Sequence, residues 1–381
     1  MKTLIKNAKV VTADSVLEDG VVAYENGIIT AVGKAPVNVD NIIDAEGNYL
    51  IPGFVELHCH GGVGYGFMRA NERQFEDIAR FHLSHGVTTL YATTISAGAD
   101  EIEKCLKLIT EYKRKHENSI IEGVHLEGPY LNVNQCGAQD PQHIKKPNSG
   151  ELAYLMEKYP IIKRVSAASE LDENYAFVSE GLRRGAVMGI AHTDADFKEV
   201  VEAHENGYTV ATHLYSGMNG TVRKNLYRVA GAVEAALYLD GMTVEVIADG
   251  KHLPTELLKY IYKIKGADKI CLITDATAAA GLKNGSRTML GDLKVIVDDD
   301  VAKLDDLSSF AGSTATGDRL YKTMMKAIGK DFVALSKMSS LTPARIMGLD
   351  DRGEIAVSKR ADMLIINEHG DIIEVITDKV G

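Results

Sequence analysis

The sequence predicts an α/β protein in which a (β/α)8 TIM barrel is joined to a small β-sandwich domain formed by both termini. Three observations lead to this prediction. Short apolar runs alternate with stretches of helical periodicity through residues 53–349, as in repeated βα units. Residues 1–52 have the alternating pattern of short strands between turns, and strand character returns in residues 350–381. We therefore predict a small domain from residues 1–52 and 350–381, and a barrel domain from residues 53–349.

The terminal domain is predicted from segments that combine alternating polarity with neighbouring turn residues. Its strands are expected at residues 4–11, 21–24, 28–32, 354–357 and 362–366. The sequence Glu25-Asn26-Gly27 is typical of a tight turn between the second and third of these. We expect the C-terminal strands to pair with the N-terminal ones and complete the domain.

The barrel prediction rests on eight apolar runs that are short enough to be strands of a parallel sheet. They are residues 54–58, 88–92, 120–126, 161–165, 186–190, 209–212, 244–247 and 270–273. Candidate helices include residues 101–116, 197–206 and 254–265, the last beginning with a Pro that a first helical turn tolerates. Beyond the eighth strand we expect a hairpin (292–297 with 300–304) and helices at 313–329 and 332–347.

Composition indicates a globular protein that acts on small molecules. The 381 residues are 45 % hydrophobic and 25 % charged, and the net charge is −11. Such a charge repels phosphate backbones and anionic lipid, so nucleic acid and membranes are not expected partners. Without a recognisable signal peptide or an apolar run of about 20 residues, a cytoplasmic location is expected. The four Cys are far apart in sequence and are expected to be reduced thiols.

Metal-ligand residue types follow several of the predicted strands. At the first strand, His58 and His60 are separated by one residue, so both imidazoles point to the same side and Cys59 to the other. Strands three, five, six and eight are followed by Glu127, His192, His213 and Asp275. Barrel active sites form at the C-terminal ends of the strands.

These six side chains together indicate a metal centre. An isolated His-x-His pair is a weak signal, but burying all six groups at one rim without an ion would be costly. Nitrogen and oxygen ligands of this kind suit Zn, Fe or Mn rather than Ca or Mg.

Several segments resemble the N-acetylglucosamine-6-phosphate deacetylase family of the amidohydrolase superfamily. They are PGFVELHCHG (52–61), HLEGPY (125–130), AHTDA (191–195), THLY (212–215), IADGKH (247–252) and TDA (274–276). The resemblance spans nearly the whole chain, and HLEGPY together with the IADGxH pattern is its most specific part. It implies a metal-dependent amidohydrolase that acts on linear amides.

The resemblance also implies the roles of the site residues. Glu127, His192 and His213 would hold the principal ion, and His58 and His60 a second one, giving one or two divalent ions per subunit, most often Zn. Asp275 would lie at the metal centre and act as general acid and base.

The implied reaction is attack by metal hydroxide on the acetamide carbonyl of N-acetylglucosamine 6-phosphate. Asp275 would move the proton to the amine, and His252 would contact the substrate and polarise the carbonyl. The products would be glucosamine 6-phosphate and acetate.

The chain departs from the family where the sugar phosphate is held. The family's Lys-Lys-Gly-Ala/Thr-His loop corresponds to residues 134–139, NQCGAQ, which lack the basic pair and the His, and its Asn-Ala-Met corresponds to Ser216-Gly217-Met218. Its Arg-Glu-Pro-Gly, whose Arg reaches the substrate of a neighbouring subunit, corresponds to residues 223–226, RKNL.

Other groups in these segments offer substrate contacts. Arg223, Lys224 or Arg228 would supply a cation, and backbone N–H groups at Gly137-Ala138 and Ser216-Gly217 can bind phosphate oxygens. Residues Phe310, Ala311 and Gly312 resemble the family's substrate loop. A homodimer is expected by the same resemblance.

The sequence leaves two alternatives open. One keeps the metal site and changes the substrate to another N-acetylhexosamine, such as the galactosamine epimer, or to an N-acyl amino acid. The other is a catalytically inactive barrel that serves as a scaffold. A scaffold has no need of Glu127, His192, His213 and Asp275 together, which argues against it.

Overall fold

The computed structural model describes residues 1–34, 36 and 38–380; Ala35, Val37 and Gly381, which belong to the predicted terminal domain, lie outside the described residues. The first five strands are β1 Lys2–Val11, β2 Val16–Glu25, β3 Ile28–Val32, β4 Asn41–Asp44 and β5 Tyr49–Pro52. Twelve follow: β6 Phe54–Cys59, β7 Gly61–Gly62, β8 Tyr65–Gly66, β9 Val87–Thr93, β10 Ile121–Glu127, β11 Ile162–Ala167, β12 Val187–Ile190, β13 Val210–Ala211, β14 Val222–Lys224, β15 Tyr227–Val229, β16 Thr243–Val246 and β17 Ile270–Leu272. The last are β18 Arg287–Leu290, β19 Leu293–Asp298, β20 Val301–Leu304, β21 Met363–Ile366 and β22 Ile372–Ile376.

The helices lie mainly between the barrel strands and after them. They are α1 Glu72–Ser84, α2 Ala99–Lys115, α3 Ser149–Lys158, α4 Ala176–Arg183, α5 Phe197–Glu205, α6 Ala232–Tyr238, α7 Thr255–Lys265, α8 Gly317–Ile328, α9 Phe332–Ser336 and α10 Thr342–Ile346. Their starts are set by local chemistry. At α1 the side chain of Asn71 accepts a hydrogen bond from the backbone N–H of Gln74. In return, the side chain of Gln74 accepts one from the backbone N–H of Asn71. Across the described residues, these helices include none with the length and apolarity needed to cross a bilayer.

The eight predicted barrel strands form one parallel sheet in the order β6-β9-β10-β11-β12-β13-β16-β17. The sheet nearly closes on itself. The backbone N–H of Asp275 donates to the carbonyl of His58 over 2.9 Å, and Cys59 forms a bridge with Ala276. The predicted fold class is thus confirmed. Because all eight strands run the same way, their C-terminal ends meet at one rim.

Strands from both termini form a separate seven-stranded sheet in the order β22-β21-β5-β1-β2-β3, with β4 paired to β1. The long strand β1 pairs with β4 through residues 3–6 and with β5 through residues 9–10. A hydrophobic cluster that includes Ile5, Val22, Leu50 and Met363 lies in this unit. The unit therefore has a core of its own beside that of the barrel.

Three local predictions differ from the structure. Residues 354–357 are not a strand: Ile355 is buried in the terminal core, and the chain turns at Ser358, whose φ is 73°. The predicted hairpin is a three-stranded sheet, because β18 pairs with β19. The first helix after it begins at Gly317, since the N–H of Ser313 donates to the carbonyl of Asp275.

Candidate active site

A pocket of about 200 Å³ opens at the C-terminal rim of the barrel. The predicted ligand residues that line it are His60, Glu127, His192, His213 and Asp275. His58 is fully buried beneath them. The structure therefore brings all six sequence-predicted metal ligands together, although they come from five different strand ends.

Glu127 lies at the centre of this cluster, and its two carboxylate oxygens face different imidazoles. Oε1 lies 2.8 Å from Nε2 of His213 and 3.4 Å from Nε2 of His192. Oε2 lies 3.3 Å from Nε2 of His60 and 3.5 Å from Nε2 of His58. One carboxylate thus joins the two His pairs.

Asp275 faces His58 and His60 from the neighbouring strand end, on the side of β6 away from Glu127. Its Oδ1 lies 3.1 Å from Nε2 of His60 and 3.5 Å from Nε2 of His58. The donor atoms of His58, His60 and Asp275 form one group within 4.8 Å of one another, and those of His58, Glu127 and His213 form a second. His58 belongs to both groups.

The distances between these donor atoms fit divalent transition ions. Ligand bonds of about 2.1 Å in tetrahedral geometry place neighbouring donors roughly 3.4 Å apart. The contacts described above run from 2.8 to 3.5 Å. Imidazole and carboxylate donors also match the preferences of Zn, Fe and Mn.

Backbone carbonyls fix the tautomers of His192 and His213. The Nδ1–H of His192 donates to the carbonyl of Gln135 over 2.7 Å, and that of His213 to the carbonyl of Ser216 over 3.1 Å. Because a carbonyl can only accept, Nδ1 carries a proton in both imidazoles, and Nε2, which faces Glu127, is the nitrogen that would bind a metal ion. Metal-binding imidazoles are usually oriented in this way.

The backbone at the rim is strained where three of these residues lie. His192, His213 and Asp275 have φ values of 44°, 34° and 49°, in the left-handed region that non-glycine residues seldom adopt. Such conformations persist only where the surrounding structure holds them, and they concentrate at functional sites. Here they turn each side chain from the strand end into the pocket.

The electrostatics of the cluster favour positive charge at its centre. Burial raises the pKa of Glu127, but His58 and hydrogen bonds from His192 and His213 together hold this pKa well below its ordinary value. Burial likewise raises the pKa of Asp275, and the neighbouring His58 and His60 bring it below its ordinary value. Burial lowers the pKa of His58, but Glu127 and Asp275 raise it well above its ordinary value.

Beneath the pocket, a buried ion pair supports the ligands. Arg164 and Glu245 are both fully buried and form a salt bridge inside the barrel. The other oxygen of Glu245 lies 3.4 Å from Nδ1 of His58 and accepts the backbone N–H of His213 over 3.2 Å. Glu245 thus contacts one imidazole of the His-x-His pair and the backbone of another predicted ligand. This pair is not predictable from the sequence, because each residue is one polar position within an apolar strand.

His252 lines the same pocket from the loop that follows β16. Its Nδ1–H donates to Asp249 over 2.8 Å, and the other oxygen of Asp249 accepts the backbone N–H groups of Lys251 and His252. Nε2 is thus the ring nitrogen free to contact a ligand. The ring of Phe310 lies 4.9 Å from that of His252, between centroids.

The predicted substrate contacts divide into two groups. Ala138, Ser216, Gly217, Phe310 and Gly312 line the pocket with His252, and Ala311 is buried behind the loop. Arg223, Lys224 and Arg228 instead lie on the exposed hairpin of β14 and β15. Within the described part of the chain, no Lys or Arg lines the pocket.

Other lining residues were not singled out from the sequence. Gln139, Ile95, Leu290 and Ser309 also line the pocket. Gln139 stands where the family has a His, so a signal for it existed. Leu290 comes from β18, a strand that is not among those predicted from the sequence, and nothing in the sequence points to Ile95.

Comparison with known proteins settles the family. The model of the amidohydrolase family matches residues 49–378 of the chain. The chain belongs to this family. The resemblance drawn from the sequence motifs is thereby confirmed. Enzymes of this family are metal-dependent, and the His and carboxylate groups at the rim are the candidate ligands in this chain.

Individual relatives are similar along nearly their whole length. N-acetylglucosamine-6-phosphate deacetylase of Bacillus subtilis (strain 168) is 30 % identical over 381 residues, covering 97 % of this amidohydrolase and 94 % of that protein. The crystal structure of N-acetylglucosamine-6-phosphate deacetylase from Thermotoga maritima is 33 % identical, with 98 % of each chain covered and a TM-score of 0.87. N-acetylgalactosamine-6-phosphate deacetylase of Escherichia coli O157:H7 is 27 % identical, covering 96 % of each.

Proposed function

We propose that this amidohydrolase hydrolyses the acetamide of N-acetylglucosamine 6-phosphate to glucosamine 6-phosphate and acetate, a step of amino-sugar catabolism. The observation that carries the proposal is the Glu127 carboxylate shared between two His pairs, with Asp275 against His60 in the same pocket. The similarity to sugar-phosphate deacetylases over almost the full chain supports the substrate.

In this proposal, Glu127, His192 and His213 hold the principal divalent ion, and His58 and His60, with Asp275 nearby, hold the second. Zinc is the ion we propose, with iron or manganese as alternatives that the same donors accept. When bound, such an ion lowers the pKa of water and polarises a carbonyl oxygen.

Asp275 is the proposed general base and acid. Its carboxylate lines the pocket and is held ionised by its imidazole neighbours, so it can accept a proton from the attacking water. It then returns this proton to the amine that leaves. Because the amine is a poor leaving group until it is protonated, one residue placed between water and nitrogen serves both steps.

His252 is proposed to hold the acetamide carbonyl oxygen. Asp249 orients the imidazole, so that an N–H at Nε2 would point into the pocket. A donor fixed in this way stabilises the negative charge that develops on the carbonyl oxygen.

The sugar phosphate is proposed to contact the loops at Gly137-Ala138 and Ser216-Gly217, which line the pocket. The cation would come from Arg223, Lys224 or Arg228 of a second subunit, which implies a homodimer. The exposure of the β14–β15 hairpin supports this arrangement: Leu226 and Tyr227 at its tip are 80 % and 78 % exposed.

A cytoplasmic location is also proposed. All four cysteines are free, which supports this location.

A second candidate substrate is N-acetylgalactosamine 6-phosphate. The 27 % identity to a deacetylase of that name favours it, as does the altered phosphate segment. The metal chemistry would be unchanged, and the two substrates differ only in one hydroxyl configuration.

The test is acetate release from a panel of substrates. Purified protein is incubated with both 6-phosphates, the two unphosphorylated sugars and several N-acetyl amino acids, with and without chelator. We expect chelator-sensitive release that is fastest from N-acetylglucosamine 6-phosphate. Release only from amino acids would contradict the sugar proposal, and none from metal-loaded protein would favour a scaffold.

A further inference from the structure

We propose that Gln139 is a positioning residue that holds the Glu127 carboxylate in the orientation needed to serve both His pairs. This rests on the proposed metal-dependent function, and it adds a residue that no ligand motif contains. Gln139 is only 6 % exposed, although it lies in a loop. Its side chain is therefore held by the protein rather than by solvent.

Two hydrogen bonds fix the amide of Gln139. The backbone N–H of Ser96 donates to its Oε1 over 2.7 Å, and its Nε2 donates to Oε2 of Glu127 over 3.0 Å. An N–H group can only donate, so the amide oxygen must face Ser96 and the amide nitrogen must face Glu127. The backbone N–H of Ser96, in the segment that follows β9, thus sets the direction of both bonds.

The bond reaches the carboxylate oxygen that faces the His-x-His pair. Oε2 of Glu127 also lies 3.3 Å from Nε2 of His60, whereas Oε1 faces His192 and His213. A donor on Oε2 occupies one of its two lone-pair directions and leaves the other toward His58 and His60. Without this donor, the carboxylate can rotate about its last side-chain bond. Its Oε1 would then no longer be kept toward one His pair and its Oε2 toward the other.

The backbone of Glu127 is held independently of its side chain. The Oγ1 of Thr94 donates to the carbonyl of Glu127, and accepts its N–H over 3.1 Å. Loss of the Gln139 amide therefore leaves the strand end in place and frees only the carboxylate. We therefore expect the loss of the Gln139 amide to weaken metal binding, most of all for the ion held by His58 and His60.

The experiment measures metal affinity directly. Metal-free wild type, Gln139→Met and the control Gln142→Met are titrated with Zn²⁺ against a chromophoric chelator, and cobalt-substituted samples are followed by visible absorption. Gln142 is exposed in the same loop, so it receives the same chemical change away from the site. We expect Gln139→Met to bind the weaker of two ions about 10–100-fold less tightly and to alter the cobalt spectrum, with Gln142→Met unchanged.

A rescue and a second variant complete the test. Gln139→His keeps an N–H donor and is expected to recover most of the affinity, while Gln139→Ala, which removes the amide without adding bulk, should behave as Gln139→Met does. Thermal melting of the metal-free variants checks that the fold is retained.

Three outcomes would overturn the proposal. Unchanged metal affinity and cobalt spectrum in a folded Gln139→Met variant would do so, as would a raised KM with normal metal binding, which would make Gln139 a substrate contact. Wild-type protein that binds no ion would instead contradict the proposed function itself, and this inference with it.

Discussion

The carboxylate of Glu245 lies 3.4 Å from Nδ1 of His58, and its other oxygen pairs with the fully buried guanidinium of Arg164. The two charges lie inside the barrel, below the pocket. A buried pair of this kind costs desolvation energy, and removing one partner leaves the other uncompensated. We infer that stability and ligand orientation depend on the same carboxylate.

Glu245→Gln should therefore destabilise the protein strongly. The variant keeps the size of the side chain but leaves the charge of Arg164 buried and unpaired, so we expect a loss of about 3–5 kcal/mol in the free energy of unfolding. Urea unfolding of the metal-free proteins measures it. The double variant Arg164→Met with Glu245→Met removes both charges and should be less destabilised than the single one. A single variant within about 1 kcal/mol of wild type would contradict this expectation.

Asp275→Asn should abolish most turnover while the principal ion remains bound. The amide cannot accept a proton from water, so we expect kcat to fall at least about 100-fold. Acetate release and elemental analysis of the same preparation measure the two effects. If the variant keeps most of its activity, Asp275 is not the general base.

His252→Asn should lower kcat by about 10²–10³-fold, because a donor to the developing oxyanion is lost. Asp249→Asn should give a smaller loss, since the imidazole stays in place but loses its orienting carboxylate. His369→Asn serves as the control, because His369 is an exposed residue of the C-terminal region. Steady-state kinetics on the 6-phosphate substrate measure all three. Equal activities of the His252 and His369 variants would rule out the proposed role.

The stability of the metal-free protein should fall in mild acid partly because of His82. This residue of α1 is fully buried, its Nε2–H donates to the carbonyl of Gly61 over 3.0 Å, and burial lowers its pKa from 6.5 to about 4. The folded state therefore resists protonation, whereas the unfolded chain takes up a proton near pH 6.5. Its stabilising contribution is present above that pH and is lost progressively as pH falls toward 4, by up to about 3 kcal/mol.

Urea unfolding of wild type and His82→Gln at pH 7, 5.5 and 4.5 isolates this contribution. Gln keeps an N–H donor for Gly61 but does not titrate, so the difference between the two proteins cancels the other ionisable groups. We expect the wild type to lose stability relative to the variant as the pH is lowered. A pH-independent difference would show that His82 is protonated in the folded state as readily as in the unfolded one.

The fold and the types of ligand were predictable because their signals are local. Each barrel strand is a short apolar run, and the residue type just after it, such as Glu127 or His192, can be read directly. The missed strand β18 and the false strand at 354–357 show where local signals fail. β18 pairs with its neighbour β19, but its residues are exposed or half-buried and so give little apolar signal, whereas Ile355 is apolar because it packs in the terminal core.

The sequence by itself determined the succession of strands and helices along the chain and the residue types offered as metal ligands. Only the tertiary structure decided which atoms of these groups meet. It divided the two oxygens of Glu127 between the His pairs, placed the amide of Gln139 against one of them, and joined His58 to Glu245 across 187 residues of chain. The reason is physical: strand and helix patterns depend on neighbours in sequence, whereas side-chain contacts across a barrel depend on closure of the sheet and on how each rotamer is packed.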